Sequence, residues 1–191
     1  RLARNEVEIA NIIRIARDNP NVERVIIGNE NLTLHRLTLD QTIRYLRRVR
    51  AALPERVKIS TAEAWSIWLD YPELAREVDF ITIHTLPFWE RVDISGALEF
   101  TKRMVREVST AYPDKPLFIG EVGWPSAGRS YGDSEPSLVN QALFLRHFLN
   151  WAHEQNLDYN IVEAFDQPWK VNLDNNASEK HWGIWTVDRE P

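Results

Sequence analysis

The chain has 191 residues and no cysteine, so disulfides, thiolate metal sites and a cysteine nucleophile are excluded. Its 28 acidic and 23 basic side chains give a formal net charge of −5, which disfavours nucleic acid or an anionic membrane as the main partner. With 43% hydrophobic and 27% charged residues the composition is globular, and no apolar run is long enough to span a bilayer. The 8 Trp are unusual and indicate either a large core or a surface that stacks on sugar rings.

Helical and β periodicities alternate along the chain, which opens on Arg1 rather than on Met or an apolar leader. We therefore expect a piece of a longer polypeptide, organised as one domain over 1–191. Apolar spacing predicts helices over 2–17, from the capping box of Thr38 and Gln41 to Leu53, near 71–77, over 94–112 and from Leu138 to Ala152. Runs of apolar and β-branched residues predict strands over 25–27, 57–61, 78–84, 116–121 and 159–165.

Five strands separated by helical segments predict an α/β fold built from parallel βαβ units. Two architectures remain open at this point, a doubly wound sheet and a β/α barrel of the TIM type. None of the 7 Gly falls in a GxGxxG or GxxxxGK phosphate-binding pattern. The sequence therefore disfavours a nucleotide-binding function.

Acidic, amide and aromatic side chains follow every predicted strand. In parallel β/α folds the carboxyl ends of the strands meet at one edge, where ligands bind. The joint pattern therefore predicts a binding or catalytic site at this edge. Its candidate residues, in chain order, are Asn29, Glu30, Glu63, His84, Glu121, Trp124, Asp166 and Lys170.

Glu30 and Glu121 are the strongest catalytic candidates, because each ends an apolar strand that also contains a glycine. A carboxyl group that is partly desolvated in a cleft has a raised pKa and can donate a proton. A second carboxylate in a more polar setting stays ionised and can attack carbon. Two such groups about 5 Å apart are the arrangement found in a retaining glycosidase.

Four segments of the chain resemble glycoside hydrolase family 17, a family of β-1,3-glucanases and β-1,3-glucan transglycosylases. The two segments with the carboxylates are VIIGNE at 25–30 and IGEVGWPSAG at 119–128. The last strand of the family and the loop beyond it resemble EAFDQPWK at 163–170 and EKHWGIW at 179–185. The resemblance covers essentially the whole chain and is to bacterial and fungal members more than to plant ones.

The resemblance implies that Glu30 is the acid/base, that Glu121 is the nucleophile and that Asn29 hydrogen-bonds the sugar 2-hydroxyl. It also implies that catalysis needs no metal or cofactor. One departure is Gln167, where plant members usually have a glutamate, so an acidic role is not carried over to that position. The further substrate-binding residues that we predict are Glu63, His84, Trp124, Asp166, Lys170 and Glu179.

The family fold is an eight-stranded β/α barrel, usually of about 250 residues. The five predicted strands then correspond to strands four to eight, and the first three are missing from this sequence. Because five strands cannot close such a barrel, both edges of the sheet would be exposed. We expect the missing strands to come from an N-terminal segment of the native protein, from another chain or from a swapped copy.

The sequence therefore predicts a retaining hydrolase or transglycosylase that acts on β-1,3-glucan oligosaccharides, with hydrolysis and transfer both open. The alternative is a non-catalytic fragment that binds β-glucan or serves as a scaffold in a larger glucan-processing protein. The resemblance implies an extracellular or periplasmic location, and bacterial relatives can be attached to membrane proteins.

Overall fold

The computed structural model describes residues 2–170 and 177–190, in which helices and strands alternate. The helices are α1 (Leu2–Asp18), α2 (Leu39–Ala52), α3 (Trp65–Asp70), α4 (Pro72–Ala75), α5 (Ile94–Ala111) and α6 (Leu138–Glu154), followed by a 3-10 turn at Ala177–Lys180. The strands are β1 (Arg24–Asn29), β2 (Lys58–Ala64), β3 (Ile81–His84), β4 (Leu117–Val122) and β5 (Asp158–Ile161). None of the helices in the described ranges is both long and apolar enough to cross a membrane.

The five strands form one sheet in the order β1-β2-β3-β4-β5. β1 pairs with β2 in parallel, with Arg24 opposite Lys58 and Val25 opposite Ile59. A doubly wound sheet reverses its strand order at a switch point, whereas a β/α barrel adds each strand beside the previous one. The sequential order therefore decides between the two predicted architectures, in favour of the barrel type.

The N-terminus of α2 has the capping box that the sequence predicts. The Thr38 hydroxyl accepts a hydrogen bond from the Gln41 backbone N–H at 3.3 Å, and the Gln41 side chain accepts one from the Thr38 N–H at 2.9 Å. The two bonds satisfy donors that would otherwise lack partners in the first helical turn. The helix then buries Thr42, Leu46 and Val49 on one face.

The chain divides into two compact units, and the first comprises Arg1–Ile83 and Val108–Phe118. Trp68 of α3 is fully buried there, and its indole N–H donates to the Thr82 carbonyl at 2.8 Å. The Tyr112 hydroxyl donates to the Trp68 carbonyl. Burial raises the pKa of Tyr112, because the phenolate form would lose its solvation. These contacts tie the short helix α3 to β3 and to the end of α5.

The second unit comprises His84–Glu107 and Ile119–Pro191 and has an aromatic core. Phe88 meets Trp124 and Trp182 edge-to-face, with ring centroids 5.5 and 5.9 Å apart. Each such pair adds about 0.5–1.5 kcal/mol beyond the apolar area that it buries. Because the three rings follow β3, β4 and β5 in turn, this core joins the segments beyond those strands.

Several predicted elements differ from the observed ones. β2 continues to Ala64 rather than ending at 61, and β3 begins at Ile81 rather than at 78. The last strand ends at Ile161 rather than at 165, because the Glu163 N–H donates to the Trp182 carbonyl at 2.9 Å and the chain leaves β4 there. The sequence predicts a helix near 71–77, which is found as α4, but it does not predict the short helix α3 directly before it. Six residues are too few for apolar periodicity to reveal a helix.

Candidate active site

The chain bends sharply where β1 ends. Gly28 has a φ of 92°, and the Asn31 side chain occupies the space that a Cβ at Gly28 would need. Asn29 is the exposed last residue of the strand. The half-buried Glu30 follows with a φ of 52°, in the left-handed region, and its N–H donates to the Ala62 carbonyl at 2.8 Å. The two predicted site residues therefore lie at a bend where the positive φ of position 28 favours glycine.

Glu63, near the end of β2, is fully buried and binds the segment that follows Glu30. The Leu32 N–H lies 3.1 and 3.2 Å from its two oxygens, and the Thr33 N–H lies 3.0 Å from one of them. The Thr33 hydroxyl donates to the same oxygen at 2.8 Å and accepts from the Ala64 N–H at 3.0 Å. The sequence predicts that Glu63 contacts the substrate. In the structure, its carboxylate instead accepts hydrogen bonds from backbone and hydroxyl donors of its own chain.

His84 and Glu121 lie together at the neighbouring ends of β3 and β4. His84 Nδ1 is 3.6 Å from a carboxylate oxygen of Glu121, and the Thr85 N–H donates to the Glu121 carbonyl at 3.0 Å. The His84 side chain is 3% exposed and that of Glu121 is 29% exposed. The imidazole therefore contacts the candidate nucleophile from the buried side, while the carboxylate keeps access to solvent.

The segment beyond β4 packs against the chain that leaves β5. A Cβ at Gly123 would collide with the Val162 carbonyl, so only glycine fits there. Trp124 is fully buried, and its indole N–H donates to the Glu135 carbonyl at 3.0 Å. The sequence predicts Trp124 as a substrate contact, whereas the structure encloses the ring among Phe88 and other aromatic side chains and leaves no face open.

A half-buried ion pair follows β5. Lys170 Nζ lies 3.0 and 3.1 Å from the two carboxylate oxygens of Glu163, and the Gln167 side-chain amide donates to the same carboxylate. The sequence leaves the role of Glu163 open, since an acid at the end of a strand has no distinguishing local pattern. The structure identifies it as the partner of Lys170, one of the predicted site residues.

Asp166 belongs to a second polar group in the same segment. One carboxylate oxygen accepts the Gly183 N–H at 2.9 Å, and the other lies 3.4 Å from His181 Nδ1. The remaining predicted site residue, Glu179, is half-buried in the 3-10 turn. Asp166 therefore has backbone and imidazole partners, whereas Lys170 has a carboxylate partner.

The 8 Trp divide between buried and exposed positions. Trp169 is 67% exposed and Trp185 is 44% exposed, so each offers a ring face to solvent. Trp68, Trp124 and Trp182 are buried, and Trp65, Trp89 and Trp151 are intermediate. The exposed rings follow β5 and are the ones available for stacking on a flat apolar face.

This fold and these residues define a class of protein. A parallel sheet in sequential strand order, with acids, an imidazole and aromatic rings at the carboxyl ends of its strands, is the arrangement of a β/α-barrel glycoside hydrolase.

Comparison with known proteins identifies the family. The family model of the BtgE/BtgC glycoside hydrolase domain matches residues 2–183, and the chain belongs to this family. The chain is 28% identical over 142 residues to the Glucan 1,3-beta-glucosidase BGL2 of Candida albicans, covering 70% of this chain and 46% of that protein. It is 28% identical over 195 residues to the Glucan endo-1,3-beta-glucosidase btgC of Emericella nidulans, covering 90% of this chain and 30% of that protein.

A solved structure agrees with both the fold and the family. The crystal structure of a glycoside hydrolase family 17 beta-1,3-glucanosyltransferase from Rhizomucor miehei matches with a TM-score of 0.85 and 28% identity. The match covers 97% of this chain and 68% of that one. The resemblance to glycoside hydrolase family 17 is thereby confirmed. The chain spans about half or less of the length of the Candida and Emericella relatives.

Proposed function

We propose that residues 1–191 are a catalytic domain that hydrolyses or transfers β-1,3-glucan with retention of configuration. The observation that carries this proposal is the family match over residues 2–183, which spans both candidate carboxylates, Glu30 and Glu121. The names of the relatives support the substrate class, since two are called glucan glucosidases and the third a beta-1,3-glucanosyltransferase.

The proposed reaction has two steps. In the first, Glu30 gives its proton to the departing glycosidic oxygen while a Glu121 oxygen attacks the anomeric carbon, so that a covalent glucosyl ester of Glu121 forms. In the second, the Glu30 carboxylate takes a proton from water or from an acceptor sugar hydroxyl, whose oxygen attacks the anomeric carbon and releases Glu121. Two inversions at this carbon give net retention.

Other residues bind the sugar or orient the reacting groups. We assign the sugar 2-hydroxyl to the Asn29 amide, a role supported by its position as the exposed residue beside Glu30. His84 orients the nucleophile through its contact with Glu121. Glu63 and Trp124 are left out of the substrate contacts because both are fully buried. The further residues proposed to line the sugar site are Asp166, Lys170 and Glu179.

Two measurements test the proposal. Proton NMR of the first product released from a laminarioligosaccharide should show the β anomer before mutarotation, because a retaining enzyme preserves the configuration. Glu121→Gln should lower kcat at least about a thousandfold with an unchanged circular dichroism spectrum, since the nucleophile is lost at constant side-chain size. Glu99→Gln changes an exposed carboxylate on α5 and should keep parental turnover. An α-anomeric first product, or full activity of Glu121→Gln, contradicts the proposal.

Hydrolysis and transfer differ only in the acceptor for the second step. The Rhizomucor relative supports transfer by its name, whereas the Candida and Emericella names support hydrolysis. Chromatography of the products at high donor concentration separates the two, because only transfer makes oligosaccharides longer than the donor. Products that are all shorter than the donor assign hydrolysis.

A non-catalytic glucan-binding domain is the second candidate function. It is supported by the exposed rings of Trp169 and Trp185 and by the fact that the chain covers only 46% of the Candida relative. Affinity electrophoresis in laminarin gels tests it. Binding without catalysis is favoured if two results coincide. The parent chain shows no turnover, and the gel retards it as strongly as it retards the double variant Glu30→Gln/Glu121→Gln.

We also propose that the sheet is completed by strands outside this chain, supplied by an N-terminal segment of the native protein or by a swapped copy. The support is the Rhizomucor structure, of which this chain covers 68%. The proposed place of action is the extracellular or periplasmic side of the membrane, as the resemblance to glycoside hydrolase family 17 implies.

A further inference from the structure

The segment that follows Glu30 forms a tight turn, which we call the Glu30 loop (residues 30–36). The Leu34 N–H donates to the Glu30 carbonyl at 3.0 Å, and the Arg36 N–H donates to the Asn31 carbonyl at 2.8 Å. The carboxylate of Glu63 binds the loop between these two bonds, at Leu32 and the residue after it. Glu30 is thus the first residue of a turn whose middle is held by a buried acid.

The backbone of Glu30 needs such support. Its φ of 52° lies in a region that is unfavourable for a residue with a Cβ and persists where the surrounding structure holds it. Three consecutive residues of β2 hold the loop at three places. The Ala62 carbonyl accepts the Glu30 N–H, the Glu63 carboxylate accepts from the loop centre, and the Ala64 N–H donates to the Thr33 hydroxyl.

From this geometry we propose that Glu63 is a positioning residue for the acid/base. It holds the Glu30 loop in the conformation in which the Glu30 carboxyl group donates and accepts the proton, and the inference rests on the function proposed for Glu30. A substrate contact is excluded for Glu63, because its side chain has no solvent exposure and both oxygens are used within the chain.

The donors around Glu63 call for a carboxylate at this position. Two backbone N–H groups and one hydroxyl converge on two oxygens, and a carboxylate offers acceptors only. In Glu63→Gln, one oxygen is replaced by an amide nitrogen that itself donates. The Leu32 N–H, the Thr33 N–H and the Thr33 hydroxyl then compete for the one remaining oxygen, and the new amide group turns its own N–H toward these donors. The hold of β2 on the loop centre is therefore weakened.

Leaving-group dependence separates a fault in the acid/base from general damage. Cleavage of a laminarioligosaccharide needs a proton on the departing sugar oxygen, whereas dinitrophenolate departs without one. We expect Glu63→Gln to lower kcat/KM for laminarioligosaccharides about a hundredfold, as for a misplaced catalytic group. For dinitrophenyl β-laminaribioside the expected loss is less than about fivefold, because kcat/KM reports the first bond cleavage alone.

Asp79→Asn is the matched control. The Asp79 carboxylate accepts the Ile59 N–H at 2.7 Å, so it also holds a backbone amide of β2, near the opposite end of the strand. Its replacement should lower activity on the two substrates by equal factors. Thr33→Val removes the hydroxyl link and should give a weaker form of the Glu63→Gln pattern, whereas Thr33→Ser keeps the hydroxyl and should restore the parental ratio.

The leaving-group dependence of Glu63→Gln decides whether Glu63 positions the acid/base. Equal losses on both substrates in Glu63→Gln, as in the Asp79 control, overturn the positioning role. Glu30→Gln is the reference, and if it shows no leaving-group dependence, the proposed acid/base function itself fails. Amide hydrogen exchange gives a readout without turnover. Exchange at Leu32 and Thr33 should be about tenfold faster in Glu63→Gln, and unchanged exchange at both amides also overturns the proposal.

Discussion

Several acids at the strand ends are held by hydrogen bonds from the chain itself. Glu63 accepts from Leu32 and Thr33, and Asp166 accepts the Gly183 N–H at 2.9 Å. A hydrogen bond to a charged group contributes about 1.5–3 kcal/mol net, which is enough to confine a side chain to one orientation. Such order matters in a catalytic site, because a displacement of about 1 Å can slow a reaction about a hundredfold.

His84 offers a test of orientation against substrate binding. It is 3% exposed with Nδ1 3.6 Å from Glu121, so we expect it to act on the nucleophile rather than on the sugar. His84→Asn should lower kcat about ten- to a hundredfold and change KM by less than about threefold, as steady-state kinetics on laminarioligosaccharides would show. A higher KM at unchanged kcat would instead support the sugar contact that the sequence predicts. His147→Asn, at an exposed position of α6, is the control.

The ion pair beyond β5 should contribute to stability through coupling between its partners. Lys170→Met leaves the carboxylate of Glu163, which is 14% exposed, without its cation. We expect a loss of about 1–2 kcal/mol in the free energy of unfolding measured by urea titration, less than for a fully buried pair because Lys170 is 31% exposed. Adding Glu163→Gln should recover part of this loss. If the two single effects simply add, the residues are not coupled.

At the scale of elements, the ionisation of Asp93, next to the start of α5, should make the stability of the protein depend on pH. The Ser95 hydroxyl and the Ser95 backbone N–H both donate to this carboxylate, and these bonds, the hydroxyl first, lower the pKa of Asp93 from its ordinary value. A depressed carboxyl pKa adds stability that is present above the unfolded pKa and lost as the pH falls through the folded one. Asp93→Asn should therefore lose less melting temperature than the parent as the pH falls below about 4.

Ser95→Ala separates the two donors in this acid titration. It removes the hydroxyl, the larger cause of the lowered pKa of Asp93, and keeps the backbone N–H. Its acid-induced loss of melting temperature should lie between those of the parent and Asp93→Asn. Parallel melting curves for all three proteins at pH 6 and pH 3 would show that Asp93 adds no pH-dependent stability.

Elements were predictable from the sequence where their cause is local. The helix from Leu138 to Ala152 is found at Leu138–Glu154, with the Ser137 hydroxyl accepting the Asn140 N–H at its start. Its apolar spacing and its cap both lie within the helix or beside it. The last strand was predicted too long because its end is set by Trp182, a residue far along the chain.

Contacts between elements were not predictable in this way. Glu63 binds Leu32 across 31 positions, and nothing near either residue in the sequence indicates it. Trp124 follows a strand in the same manner whether its ring faces a cleft or the core, so its burial is decided by partners such as Phe88. The sequence therefore located the strand-end residues but did not distinguish those that can reach a substrate from those that hold the chain.

At the scale of the whole molecule, the sheet has two edges. In the part of the chain that the structure describes, β1 pairs only with β2, and β5 only with β4. Exposed aromatic side chains follow β5, with Phe165 at 44% and Trp169 at 67% exposure. Unpaired strand edges beside apolar surface favour pairing with a further strand from another chain.

We therefore expect the 191-residue chain to self-associate. Light scattering coupled to size exclusion should give a mass that rises above 22.3 kDa with concentration. Asn160→Lys places a charge on an exposed residue of β5 and should lower the mass toward the monomer, because a lysine on an edge strand opposes edge-to-edge pairing.

Asn150→Lys is the matched control, since it makes the same substitution at an exposed position of α6. It changes the net charge equally but leaves the β5 edge as it is, so its mass should follow that of the parent. If both variants fall to the monomer mass, general charge repulsion explains the effect. If neither does, the association does not use the β5 edge. A parent chain that is monomeric at every concentration contradicts the expectation that the open edges of the sheet associate.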